Sequence, residues 1–222
     1  MTFFKNLLSY LFDVTLEKTK GSYKQQSIKL ALSKGRLKLM ANSAIYSFDD
    51  LYLNFVQAFD YYKIKDKSIE NTLILGFGMG SIAYILEKKH AIKTQITGIE
   101  VDESIALLAE KYSLPRLKNA INLVTDRAEN YVAITETKYN LVCIDVFEDD
   151  KIPNIILSTN FLLDVKNNVL ASKYVIFFNF LARTPEEIKF AETYLDTIFK
   201  PLFPKAYLRL FGANIMIISE NW

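Results

Sequence analysis

Residues 71–100 read NTLILGFGMGSIAYILEKKHAIKTQITGIE, and no other stretch constrains the fold as tightly. A short apolar run, Leu73-Ile74-Leu75, ends in Gly76-Phe77-Gly78-Met79-Gly80. A helix-like segment follows, and a second apolar run ends in Glu100. Strand, glycine turn, helix and strand in that order form a nucleotide-binding unit. Glycine belongs at such a turn because the chain must reverse sharply, often with positive φ, and let backbone approach a ligand.

The pattern here is G-x-G-x-G, whereas a pyrophosphate seated on a helix N-terminus uses G-x-G-x-x-G. The tighter spacing suits a nucleoside whose tail is an amino acid, namely S-adenosylmethionine or a relative. Glu100 lies 20 residues beyond Gly80. An acid about 20 residues past the turn is where a ribose diol is gripped by paired hydrogen bonds. A tight turn with no ligand is the plainer alternative, and the flanking strand, helix and carboxylate argue against it.

The elements after residue 69 alternate. Strands are expected at 72–76, 95–100, 120–125, 139–145 and 173–180, with helices at 80–90, 103–112, 126–135 and 158–170 between them. Such alternation predicts a parallel sheet with helices on both faces and right-handed crossovers. A helix over 184–199 opens with a capping Thr184 and Pro185 at its first position. Two last strands, 206–211 and 215–219, flank Gly212-Ala213-Asn214 as a closing hairpin. The fold class is therefore α/β, a Rossmann-like methyltransferase fold. Its mostly parallel seven-stranded sheet ends in an antiparallel hairpin.

Residues 22–48 read differently. Ser27-Ile28-Lys29-Leu30-Ala31-Leu32 alternates polar and apolar, Ser33-Lys34-Gly35 makes a turn, and Arg36-Leu37-Lys38-Leu39-Met40 alternates again. Period two around a glycine turn is a β-hairpin signature, and 44–47 adds a third short strand. Asp49 is expected to cap a helix over 50–62. The domains are thus 1–66, an N-terminal helix with a small β layer and a further helix, and 67–222, the Rossmann-like unit. At the start, Phe3, Phe4, Leu7, Leu8, Leu11 and Phe12 recur at helical spacing. That stretch, interrupted by Lys5, Asn6 and Asp13, is too short to span a membrane and is expected to pack on the protein's own body.

Composition narrows the chemistry. With 27 basic and 25 acidic residues among 222, no basic field points to nucleic acid. One cysteine, Cys143, and one histidine, His90, exclude a disulfide framework and make a zinc site improbable. They fit a cytoplasmic protein with no membrane partner. His90 is expected to be exposed near the end of a Lys-rich helix.

Five stretches carry a resemblance. They are Tyr23-Lys24-Gln25-Gln26, the segment from Ala41-Asn42-Ser43 through Phe48-Asp49-Asp50-Leu51-Tyr52-Leu53-Asn54, and the glycine loop with Glu100. Val124-Thr125-Asp126-Arg127-Ala128 and Leu141-Val142-Cys143-Ile144-Asp145 complete the set. Over residues 22–219 the chain resembles the spermidine synthase-like branch of the S-adenosylmethionine-dependent methyltransferase superfamily. The resemblance implies that Gly76, Gly78 and Gly80 form the cofactor loop, that Glu100 holds the ribose, and that Val101 or Asp102 borders the adenine. Asp126 and Ala128 match the step whose carboxylate accepts from the adenine amino group. Asp145 matches the acid that helps take a proton from an attacking amine, and Glu148 is the nearest counterpart of a second acid. On the acceptor side, Gln26, Tyr46, Tyr52 and Asp149 would line an aromatic, partly acidic cleft suited to an amine. The cofactor implied is S-adenosylmethionine or its decarboxylated form, the partner a small-molecule acceptor, and the assembly a homodimer.

The departures are specific. Aminopropyltransferases carry an aspartate in the glycine loop that engages the cofactor's amine, and here Met79 stands there. Their Arg-Glu pair is Ala83-Tyr84, their Asp-Ser-Ser-Asp-Pro step is Asp145-Val146-Phe147-Glu148-Asp149, and their Tyr-His is Tyr52-Leu53. Methyl transfer is accordingly expected ahead of aminopropyl transfer, with a non-catalytic nucleoside-binding relative as the third reading.

Overall fold

Thr72, Leu73, Ile74 and Leu75 are all fully buried, which sets the strand that leads into the glycine turn inside the core. Its side chains alternate between two core layers, as the period of a strand requires. Ile74 joins Cys143, Phe177 and Met216 on one face, and Leu73 and Leu75 join Val142, Ile144 and Phe178 on the other. The computed structural model describes residues 3–24, 26–41 and 44–222. Gln25 and the Asn42-Ser43 pair, quoted above for the resemblance, lie outside them.

Eleven strands are seen among the described residues. β1 (Val14–Lys20), β2 (Ser27–Ser33), β3 (Arg36–Ala41) and β4 (Ala44–Ser47) form an antiparallel meander. β5 (Asn71–Leu75), β6 (Gln95–Glu100), β7 (Ile121–Thr125), β8 (Tyr139–Ile144), β9 (Leu170–Leu181), β10 (Tyr207–Phe211) and β11 (Asn214–Asn221) form one sheet in the order β10-β11-β9-β8-β5-β6-β7. β5 to β9 run parallel, and β11 is antiparallel to both β9 and β10. The expected seven-stranded sheet with its closing hairpin is present. The chain leaves β5 outward through β6 and β7, then returns to β8 on the other side. That reversal opens a crevice at the carboxyl ends of β5 and β8, where open α/β sheets take ligands.

The helices are α1 (Phe3–Leu8), α2 (Leu53–Tyr62), α3 (Ser81–Tyr84, continued by a π turn over Ile85–Lys89) and α4 (Glu103–Tyr112). They continue with α5 (Ala128–Ile134), α6 (Thr159–Asp164, continued over Val165–Val169) and α7 (Pro185–Tyr194, continued over Leu195–Phe199). Thr184 caps α7 by accepting from the Glu187 N–H, as expected.

Four expectations are corrected. The amphipathic run at the start is helical only over Phe3–Leu8, and β1 follows within six residues. Ser9 ends the helix: its hydroxyl bonds the Asn6 carbonyl and accepts from Gly35, while its own carbonyl accepts from Lys34 in the β2–β3 turn. Most of the apolar residues of that run are not packed on the body: Phe4 is 67% and Leu11 80% exposed, and Leu7 and Phe12 are exposed too. His90 is buried, because the π turn closing α3 bonds its N–H to the Ile85 carbonyl and sets its ring edge-on to Phe59.

Asp49 does not cap a helix. It is buried at φ +41°, and its carboxylate accepts from the Leu37 N–H and from Arg116. It thereby ties β3 to the turn after α4. Nor does one helix run over 50–62. A single 3₁₀ turn, Asp49–Leu51, is broken from α2 by Tyr52 at φ −79°, ψ 74°. That break aims Tyr52 at the crevice.

Candidate active site

The glycine loop is shaped by one phenylalanine. Phe77 is buried against β6, where a Cβ on Gly98 would overlap its ring, and a Cβ on Gly80 would press the same ring. Gly76 (φ +83°) lies so close to Asp145 that a side chain there would overlap the Asp145 carbonyl. Only residues without a Cβ allow this approach at positive φ. Gly76 and Gly78 therefore line the cavity. Gly80 starts α3 and is not part of the lining, and Met79 is buried in the core.

Above the loop is a cavity of about 390 Å³, in the range of small-molecule sites. Glu100 ends β6 inside it. One of its oxygens accepts from the Gly78 N–H at 2.8 Å and the other from the Asp102 N–H at 3.1 Å. Burial raises its pKa while these amides oppose the rise. Each carboxylate oxygen carries two acceptor sites, so a diol can still be held by both. The residues fit a nucleoside ribose.

Asp126 ends β7. One oxygen accepts from the Arg127 N–H and the Asn130 amide, leaving the other without a protein partner among the described contacts. Val101 and Ala128 complete that wall. Asp102 also lines it, and its carboxylate is already engaged by protein donors. It caps α4 through Ser104 and Ile105, and it accepts from Ser22 and Tyr23 of the β1–β2 connection. That connection is thereby strapped across the cavity mouth.

The strap meets the loop after β8. The Tyr23 hydroxyl donates to one Glu148 oxygen at 2.9 Å, and Lys24 pairs with the other at 2.9 Å. Lys24 holds the Glu148 carboxyl below its usual range. Glu148 is thus committed to a lid contact and poorly placed to act as a base. Asp149 follows at φ +59°, and its N–H donates to the Tyr46 hydroxyl. Gln26 lines the same mouth.

Asp145 sits at the centre. Its N–H bonds the Leu75 carbonyl, fixing it at the crevice between β5 and β8. Oδ2 accepts from the Tyr52 hydroxyl at 2.9 Å and Oδ1 from the Asn179 amide at 2.8 Å. Burial pushes its pKa up to about 6 against these two donors. A carboxylate at that value is ionised at neutral pH yet basic enough to receive a proton. Eight lining residues carry carboxyl groups and three carry cations. Each cation is already paired: Lys24 with Glu148, Arg127 with Glu129, Arg183 with Asp150 and Glu187. The lining therefore carries an excess of carboxyl groups.

All the expected site residues except Gly80 line this cavity. The sequence reading missed Lys24, Arg127, Asn179, Arg183 and Asn214. Asn179 had a signal: a lone amide within the apolar run 174–181, in a strand buried on both faces, needs partners. Among the described residues no helix is long and apolar enough to cross a membrane, and no cluster of potential metal ligands is present.

No protein-family profile matches the sequence. A curated relative, a probable polyamine aminopropyl transferase of Bifidobacterium longum, is 32% identical over 99 residues, which is 45% of this chain and 22% of the relative. The chain thus aligns with under a quarter of that protein's length. Among solved structures, a spermidine synthase in complex with the transition-state analogue AdoDATO matches with a TM-score of 0.70 and 14% identity, covering 93% of this chain and 73% of the other. A probable spermidine synthase from Corynebacterium glutamicum matches at 0.69 and 14%, over 92% and 79%. Human methyltransferase-like protein 13 in complex with SAH matches at 0.58 and 17%, over 77% and 80%. The chain shares the fold of these structures, with a four-stranded antiparallel sheet ahead of a Rossmann-like seven-stranded sheet.

Proposed function

We propose that the protein is an aminopropyltransferase-type enzyme, moving a carbon group from the sulfonium of decarboxylated S-adenosylmethionine to an amine. The observation that carries the reading is Asp145, a carboxylate of raised pKa held by two donors in an acid-lined cavity. An amine arrives as an ammonium ion and must lose a proton before it can attack. Asp145 receives that proton. The nitrogen lone pair then forms the new C–N bond as the C–S bond breaks, and the sulfur leaves as a neutral thioether. Glu100 would hold the ribose and Asp126 the adenine amino group, with Val101 and Ala128 along the base. Gln26, Tyr46, Tyr52 and Asp149 would line the acceptor side. The protein supplies position and a base, which account for much of the rate in such a displacement.

The choice of transferred group rests on the relatives. The sequence reading put methyl transfer first, and the curated relative and the leading structural neighbours favour aminopropyl transfer instead. Met79 supports the second reading, methyl transfer from S-adenosylmethionine, because the loop offers no carboxylate for an aminopropyl ammonium. Calorimetric titration with the two sulfonium nucleosides side by side separates them. The proposal expects tighter binding of the decarboxylated form. Preference for S-adenosylmethionine selects the methyl reading, and binding of neither overturns both.

A further inference from the structure

Asn179 is 1% exposed, and its two ends are spoken for. Its NH₂ donates to Asp145 Oδ1 at 2.8 Å, and its carbonyl oxygen accepts from the Asn214 NH₂ at 3.0 Å. Asn214 opens β11, directly after the Gly212-Ala213 turn of the C-terminal hairpin, and pairs with Leu181. An amide has one donor end and one acceptor end. The Asp145 carboxylate only accepts, so the NH₂ of Asn179 faces it and the Asn179 oxygen is left to the Asn214 donor. Turned over, the amide would set a carbonyl oxygen against a carboxylate.

We infer that Asn179 and Asn214 are positioning residues for Asp145, the hairpin fixing the amide orientation that keeps the carboxylate ionised and aimed at the acceptor. The inference rests on the proton-acceptor reading of Asp145 given above. The hairpin is then part of the catalytic apparatus and more than a closing edge of the sheet. Other groups facing Asp145 are the Tyr52 phenol from the segment before α2 and the Cys143 thiol on β8 itself. Arg183, after β9, and Glu148, Asp149 and Asp150, on the loop after β8, share the cavity.

The test is a ¹³C carboxyl NMR titration of Asp145 in the free protein, assigned by difference from Asp145→Asn. Asn179→Leu removes the donor and is expected to raise the midpoint by about one pH unit or more. Asn214→Asp replaces the donor to the Asn179 oxygen with an acceptor that competes for the Asn179 NH₂, so the midpoint rises as well. The double variant separates relay from charge, since coupled sites are not additive. If the effect runs through the amide, Asn214→Asp adds little once Asn179 is Leu. If it adds its full shift there, only charge acted and the relay is overturned. An unchanged midpoint in a folded Asn179→Leu overturns it too. Titrations that follow this pattern in a protein with no amine turnover would sink the transfer reading and leave the relay standing.

Discussion

The Tyr52 hydroxyl donates to Asp145 Oδ2 at 2.9 Å, joining positions 93 residues apart. The bond exists because the chain is not helical at Tyr52. Continuous helix through that residue would carry the side chain around the axis, away from β8. The phenol's own pKa is driven well up by burial and by the neighbouring carboxylate, so it stays a donor across the working pH range.

Tyr52→Phe removes a hydrogen bond to the charged form of Asp145. Such a bond lowers a carboxyl pKa, so its loss raises it. The acid limb of the pH–rate profile should move upward by about one unit, with roughly fivefold lower kcat at pH 6 and recovery near pH 8.5. A uniform loss at every pH would show that the phenol binds substrate instead.

Asp145→Asn should stabilise the fold at neutral pH. The folded-state pKa of about 6 lies above the reference 3.8, so the folded protein binds the extra proton between those values. Stability contributed by this group is present below about pH 4 and is lost as pH rises through 6. The amide, neutral throughout, escapes the loss. Its melting temperature should exceed the wild type's at pH 7.5, by the equivalent of about 3 kcal/mol, and match it at pH 4. Calorimetric scans at the two values check the sign.

Glu100→Ala strips the acceptor from the Gly78 and Asp102 amides as well as from a ribose. Leaving such buried amides without a partner costs about 1–3 kcal/mol each. Nucleoside binding should disappear in a calorimetric titration, together with a lowered melting temperature. Unchanged affinity would remove Glu100 from the site.

Gly98→Ala sets a methyl group into the Phe77 ring. Overpacking of this kind costs about 1–3 kcal/mol. Because Phe77 also backs Gly80, the glycine loop should shift and nucleoside affinity fall with stability. Phe77→Leu in the same chain should recover much of both, which denaturation and titration of the double variant would measure.

What was legible in the sequence was local. The glycine loop, the run into Glu100, the alternation after residue 69 and the Thr184-Pro185 cap each sit within one or two elements, and their spacing carries the answer. β1 was hidden because its alternation is weak: its pairing with β2 shifts register between Thr15 and Glu17. Asp49 and His90 were misread because their partners, Arg116 and Phe59, lie in other elements. Asp145 was visible as an acid at a strand end. Its two donors, Tyr52 and Asn179, meet it only after the sheet has assembled, and the helix break at Tyr52 has no short-range signature.

The most direct measurement is mass spectrometry of the products when the protein is incubated with decarboxylated S-adenosylmethionine and putrescine between pH 5 and 9. An aminopropylated amine and the neutral thioether nucleoside are expected in equal amounts, at a rate falling below about pH 6 as Asp145 protonates. A methylated amine formed only from S-adenosylmethionine, or no product from either donor, would contradict it.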